Sequence, residues 1–220
     1  MAHVLIHGMT GCGKTTLAKH LAQACIDAGR PVLLYDPIGD PDFPHSWRTM
    51  DADLFARTAE QNQNCALIID EASSAVDRYA QDARLKLLTR SRHYGHFAVL
   101  ICQRMSQVSP IARDMTSKLY LFRCGDGVAK QMQEEFAAPG LAQMATSIGP
   151  YQAVLVDRFG RLELREVKPF VLQSQGREAD ESIGSPTGDR RDSRGFPRLH
   201  EAEGGEGREA TETFEEEKEQ

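Results

Sequence analysis

No apolar run in this sequence approaches the roughly 20 residues a helix needs to cross a bilayer. The N-terminus has no basic region followed by a long apolar stretch and a small-residue cleavage site, so no secretory signal is expected. Hydrophobic residues make up 40% of the chain and mean hydropathy is -0.45. The expectation is a soluble protein with no stable membrane insertion. Cysteine is sparse. Cys12, Cys25, Cys65, Cys102 and Cys124 are odd in number and never spaced as CxxC. This argues against a disulfide framework or a zinc site and for a reducing, cytoplasmic setting. The histidines are scattered. His93 and His96 lie close together, but no Cys or acidic pair nearby completes a metal shell. There is no internal repeat.

What is present is unevenly distributed. The net charge of -6 comes from the C-terminal part, where residues 171–220 carry 14 acidic and 7 basic side chains. Apolar residues thin out there, and Gly, Ser, Pro, Arg and Glu dominate. Such a segment buries too little surface to offset its chain entropy and is expected to be a disordered acidic tail. The expected division is a folded domain over residues 1–170 and a tail over 171–220. Within the domain, residues 84–124 hold Arg84, Lys86, Arg90, Arg92, Arg104, Arg113, Lys118 and Arg123 against Asp114 alone. A local excess of this kind attracts phosphate, although a solvated helix face has the same composition.

Short, wholly apolar runs alternate with helical patterns. "HVLIH", "RPVLLYD", "CALIIDEA", "FAVLICQ" and "KLYLFRC" read as buried strands. Between them, helices are expected over residues 14–28, closed by Gly29, and over about 51–61, capped by Asp51. A long helix is expected over most of 75–93. Ser109 and Pro110 suit a further helix start, and Asp126 suits the cap of a helix reaching about residue 138. "PIGDPDFPHSW" reads as a loop, with the single tryptophan, Trp47, packing it down or facing a nucleobase. "YQAVLVD", "RFG" and "RLELREV" read as a closing hairpin. Apolar strands alternating with helices imply an α/β fold, with a mostly parallel central sheet covered on both faces and a C-terminal β-hairpin.

Two motifs carry chemistry. The first is G-x-x-x-x-G-K-[ST], met by Gly8, Gly13, Lys14 and Thr15 between a strand and a helix. Glycines let the backbone of Gly8, Met9, Thr10, Gly11, Cys12 and Gly13 curl around phosphate, and the helix N-terminus through Lys14, Thr15 and Thr16 adds partial positive charge. Lys14 is expected to reach the β- and γ-phosphates and Thr15 to ligate Mg²⁺, so the cofactors expected are ATP and Mg²⁺. The second motif is "ALIIDE". Asp70 is expected to hold Mg²⁺, and Glu71 to polarise a water for attack on the γ-phosphate, although a plain first-turn acid is the bland alternative. Gln103, at the tip of the next strand, is placed to sense that phosphate or merely to close the strand. An arginine commonly completes such a site, in cis or from a neighbour, and Arg92 and Arg113 are preferred because both lie near expected element ends. The absence of Asn-Lys-x-Asp speaks against a guanine-nucleotide switch.

"GMTGCGKT", "ALIIDEA" and "SRHYGHFAVLICQR" together resemble the FtsK–HerA branch of the RecA-like, additional-strand P-loop ATPases, over about residues 3–125. The resemblance implies a homo-oligomeric ring, most often a hexamer, with ATP at subunit interfaces. It assigns roles to Lys14, Thr15, Asp70, Glu71 and Gln103, in agreement with the physical reading. The chain begins at its first core strand and ends soon after its last, like the minimal genome-packaging ATPases of tailless, membrane-containing viruses such as tectiviruses. The implied function is hydrolysis of ATP to move double-stranded DNA into a capsid, with a capsid or portal protein as further partner. The implied location is the host cytoplasm or the packaging vertex of a virion. Zonula-occludens-toxin-like phage assembly ATPases share the motifs, and a small-molecule phosphotransferase is the remaining alternative.

Overall fold

The structure is a computed structural model, and it describes residues 3–72, 87–91 and 93–171. The order of elements is β1 (His3–His7), α1 (Lys14–Asp27), β2 (Val32–Tyr35), β3 (Trp47–Thr49), α2 (Ala52–Glu60), β4 (Ala66–Ile69) and β5 (Phe97–Cys102). They are followed by α3 (Pro110–Asp114), β6 (Thr116–Phe122), α4 (Asp126–Glu135), α5 (Leu141–Ser147), β7 (Gln152–Asp157) and β8 (Leu162–Glu166). Among the described residues the strands form one sheet in the order β3-β2-β4-β5-β1-β6-β7-β8. The ladders from β3 to β6 are parallel, and β6–β7 and β7–β8 are antiparallel. This is the expected mostly parallel sheet with a terminal hairpin.

Strand periodicity divides the core into two layers. Val4, Ile6, Leu34, Ile68, Val99 and Ile101 pack with Ala18 and Ala22 of α1 on one face. Leu5, Leu33, Leu67, Ile69 and Leu100 pack with Phe55 of α2, Met132 of α4 and Leu141 of α5 on the other. Apolar residues at every position of β2 and β4 are thereby accounted for, since both faces are covered. Among the described residues no helix is long and apolar enough to cross a membrane.

Local chemistry sets the element ends. Gly29, at φ 73, closes α1 in a Schellman motif: Arg30 N–H donates to Cys25 O and Gly29 N–H to Ile26 O, both at 2.9 Å. Asp51 caps α2, its Oδ1 accepting from Asp53 N–H at 2.8 Å and Leu54 N–H at 3.0 Å. Other expectations are corrected. Gly125, not Asp126, occupies the N-cap of α4, which ends at Glu135. Ala137 and Gly140 then take φ 47 and φ 89 and start α5, a helix the sequence reading did not expect. Ser109 stands at the N-cap of α3 but its side chain makes no capping bond. Trp47 opens β3 rather than lying in a loop, and it packs partly buried against the core. Most of the helix expected over 75–93, Arg84, Lys86 and nearly all of the acidic tail lie outside the described residues.

Candidate active site

The parallel strands β1, β4 and β5 all end on the same edge of the sheet, and their tips carry the two motifs. The loop after His7 presses against the end of β6. A Cβ on Gly8 would lie 2.5 Å from Phe122 Cβ and 2.8 Å from Cys12 Sγ, so only glycine fits. Gly13, at φ 108, turns the chain into α1. Backbone bonds sew the loop to the neighbouring strands: Met9 N–H donates to Arg123 O at 3.2 Å and Tyr151 N–H to Cys12 O at 2.9 Å. The N-terminus of α1 has no side-chain cap, and its first internal bond runs from Leu17 N–H to Gly13 O. The N–H groups of the first helical residues, Lys14, Thr15 and Thr16, therefore meet no side-chain capping oxygen and are available to an anion.

Lys14 is buried, and its Nζ donates to Met9 O at 2.8 Å, inside the loop. An ammonium has three N–H donors, so the amine can hold that carbonyl and still reach phosphate. His7, directly before the loop, is pushed down to about 4 by burial first and by Lys14 second. It is neutral near pH 7 and does not compete with Lys14 for an anion.

Asp70 follows β4. Its backbone N–H continues the ladder to Tyr35 O at 2.9 Å, and its Oδ1 accepts the Glu71 N–H at 3.0 Å. Asp70 is 8% exposed. Burial, with smaller contributions from Asp36 and Glu71, raises its pKa to about 6, against the opposing Glu71 N–H bond and Lys14. Glu71 sits at φ 56, a left-handed backbone that costs a non-glycine residue about 1–2 kcal/mol. The turn swings the chain off the strand immediately after Asp70. A strained backbone is tolerated where the position of a side chain matters, and here it sits at the second carboxylate.

β5 lies between β1 and β4, so Gln103, one residue past its end, comes up between the loop and the carboxylates. Thr10 Oγ1 donates to Gln103 Oε1 at 3.2 Å. The structure thus brings together residues 8–16, Asp70, Glu71 and Gln103. Arg92 lies outside the described residues. The backbone of Arg113 is not at the loop end of the sheet in this chain. Its backbone precedes Thr116, which pairs with His3 at the far end of β1, about 13 Å of strand away from His7. Its Nη1 is 2.7 Å from Glu135 Oε1, in an ion pair inside the domain. Lying near an element end did not reveal which end of the sheet that was.

Two neighbours of the site were not singled out in the sequence. Asp36, at the end of β2, is fully buried and adds negative charge beside Asp70. Its Oδ1 accepts from Ile38 and Gly39 N–H at 3.1 and 2.8 Å and its Oδ2 from Asp40 N–H at 2.7 Å, so it builds the loop after β2. The strand-ending "YDP" was the available signal. Tyr151 lies against Gly13; no sequence motif marks it.

The residues fit a nucleotide with its metal ion. A buried carboxylate with a raised pKa would gain from a nearby divalent cation, and Asp70 and the Thr15 hydroxyl are oxygen donors of the hard kind that Mg²⁺ would take alongside phosphate oxygens. When bound, the ion neutralises charge on the β- and γ-phosphates.

A family model described as the ATPase family associated with various cellular activities matches residues 4–123, the span that holds the loop, both carboxylates and Gln103. A search of curated proteins finds no match. Among solved structures, the genome packaging NTPase B204 from Sulfolobus turreted icosahedral virus 2, in complex with AMPPCP, is similar at a TM-score of 0.65 and 18% identity, over 77% of this chain and 98% of that one. EccC from Thermomonospora curvata is similar at 0.53 and 12% identity, over 77% of this chain and 37% of that one. The pCW3 conjugation coupling protein TcpA is similar at 0.55 and 13% identity, over 77% and 61%. At these identities the likeness establishes a shared fold.

Proposed function

The chain belongs to the ATPase family associated with various cellular activities, and on that premise we propose that its ATP hydrolysis drives double-stranded DNA into a viral capsid. The observation that carries hydrolysis is the position of β5. Its tip sets Gln103 between the phosphate loop and the Asp70–Glu71 pair, with Thr10 bonded to the amide. In this reading the loop N–H groups and Lys14 hold the phosphates, and Thr15 and Asp70 hold Mg²⁺. Glu71 orients and deprotonates the attacking water, and Gln103 reports whether the γ-phosphate is present.

Two observations support DNA as cargo. The packaging NTPase covers this chain's fold with 98% of its own length. Arg104 and Arg123 are exposed at the strand ends that also carry the site, where they can follow a phosphate backbone without reading sequence. The working form is a homo-oligomeric ring, a hexamer, in the host cytoplasm or at the packaging vertex, with a capsid or portal protein as docking partner. An arginine from the adjacent subunit completes the site. Arg92 and Arg113 are the candidates for that role, Arg113 being held by Glu135 within its own domain. A phosphotransferase is the weaker reading, since a kinase has no use for Glu71 beside Asp70.

The test measures ATP turnover with and without long double-stranded DNA, alongside Glu71→Gln. Turnover stimulated by DNA and reduced at least about 100-fold in Glu71→Gln, with ATP binding retained, is the expected result. Turnover indifferent to DNA and dependent on a small acceptor overturns the motor.

A further inference from the structure

We infer that Tyr151 is the platform on which the nucleobase of bound ATP stacks. The strand order sets the direction in which a bound nucleotide lies. Asp70, Glu71 and Gln103, to which the proposed function assigns the γ-phosphate, come from the ends of β4 and β5, on one side of β1 in the sheet. The opposite side of β1 is occupied by β6 and then β7. A triphosphate lying along the loop with its γ end at the carboxylates sends its ribose and base toward β6 and β7.

Tyr151 stands there, immediately before β7. It is 45% exposed, although its backbone is tied on both sides. Its N–H donates to Cys12 O of the loop at 2.9 Å, and its C=O accepts from Val167 N–H at 2.7 Å. Val167 is itself buried. The next residues run along α1, where His20 Nε2 meets Lys168 O at 2.9 Å and the His20 ring meets Phe170 edge-on. Tyr151 also takes φ 58, a left-handed conformation that a tyrosine adopts only under constraint. The ring is laid against the loop: a Cβ on Gly13 would come within 2.9 Å of Tyr151 Cδ1 and 3.4 Å of its Cε1. An aromatic ring in a fixed pose, half in water, beside the residue that starts the phosphate-binding helix, suits a planar base.

Among the described residues, three other aromatic side chains are placed away from this role. Trp47 opens β3 at the far edge of the sheet, beyond the carboxylate strand, and packs against the core. Phe170 is engaged with His20, and Phe122 is fully buried. A stacking platform has little preference among purines and holds a pyrimidine less well, because the stacked area is smaller. This inference rests on the ATPase assignment and is independent of whether DNA is the cargo.

The test compares ADP with inorganic tripolyphosphate, which occupies the loop without a base, by calorimetry in Mg²⁺ and without DNA. Tyr151→Ala keeps the same backbone cost and removes the ring. It is expected to weaken ADP about ten- to a hundredfold while changing tripolyphosphate by less than about twofold. Tyr151→Phe is expected to bind both like the wild type. In Tyr151→Trp, ADP is expected to change tryptophan emission beyond any change from Trp47 in the wild type, and tripolyphosphate is not. Equal weakening of both ligands in Tyr151→Ala overturns the inference, because it makes the ring a support for Gly13 instead. Unchanged ADP affinity, or a Tyr151→Trp emission indifferent to ADP, overturns it as well. Should Tyr151→Ala fail to fold, the Phe and Trp variants decide by the same readings. Absence of DNA-stimulated turnover leaves these outcomes untouched.

Discussion

Asp70→Asn is expected to make the metal-free protein more stable while abolishing its turnover. Burial holds the Asp70 carboxyl at about 6, against an ordinary value of 3.8. The folded state therefore keeps a proton that the unfolded state releases, and between those two values stability falls as pH rises. The interval is worth about 3 kcal/mol once pH is well above 6. Asparagine has nearly the same shape, and its Oδ1 can still accept the Glu71 N–H, but it carries no charge to bury. Its advantage should be about 3 kcal/mol at pH 8, roughly half of that at pH 5, and small at pH 4. Urea unfolding of both proteins in EDTA, at those three pH values, measures the difference directly.

Taking the difference matters because His7 works in the opposite direction. Burial lowers it from 6.5 to about 4, so below 6.5 the unfolded state takes up a proton that the folded state resists. Stability therefore rises with pH from about 4 to 6.5, nearly the window in which Asp70 lowers it. In the wild type the two slopes oppose each other, and Asp70→Asn leaves the histidine slope, to which His96, also lowered by burial, adds. An advantage for Asp70→Asn that is the same at pH 4 and pH 8 refutes the reasoning. So does a less stable Asp70→Asn at pH 8. Either result would show that Asp70 is held by hydrogen bonds strong enough to repay its burial.

Gln103→Ala removes the amide that meets Thr10. It should lower kcat about ten- to a hundredfold with little change in KM, and steady-state kinetics showing an unchanged kcat would reduce Gln103 to a strand end. Arg158→Ala should lower the thermal midpoint by roughly 10 °C, since Arg158 donates to the carbonyls of Thr116, Glu135 and Arg113 and lies 4.3 Å over the Phe136 ring. Calorimetry checks the shift. Turnover at low temperature should be kept, because all four contacts are at the end of the sheet away from the loop.

The residues proposed for the γ-phosphate half of the site were legible in the sequence because each of them is local. The loop glycines, Lys14 and Thr15 are contiguous, Asp70 and Glu71 end one strand, and Gln103 follows another. A parallel sheet collects strand ends on one edge, so contiguity along the chain was enough. Other features depended on pairing. Strand β3 is three residues beside a Pro-rich loop, and only its ladder with β2 makes it a strand. Two short helices appear where one was expected, because Ala137 and Gly140 turn left-handed between them. The placement of Arg113 depended on pairing too. Its closeness to an element boundary was readable, but the register of β6 against β1, which carries that boundary to the far end, was not.

The base half of the site was illegible for a related reason, and the fold shows why the halves differ. The carboxylates and Gln103 are on strands parallel to β1, whose functional ends follow their own sequence. Tyr151 is at the start of β7, which runs antiparallel to β6, so it is the entry of that strand, not its exit, that lies beside the phosphate loop. A search for polar residues at the C-terminal ends of apolar strands passes over it. Its bond to Cys12 O joins two segments with most of the folded domain between them in sequence. The hairpin that looked like a simple closure of the sheet thus holds Tyr151 between the phosphate loop and the segment along α1. Shifting that segment would move the ring with respect to Gly13, so the region after β8 is the part of the described fold best placed to alter nucleotide affinity without touching the catalytic carboxylates.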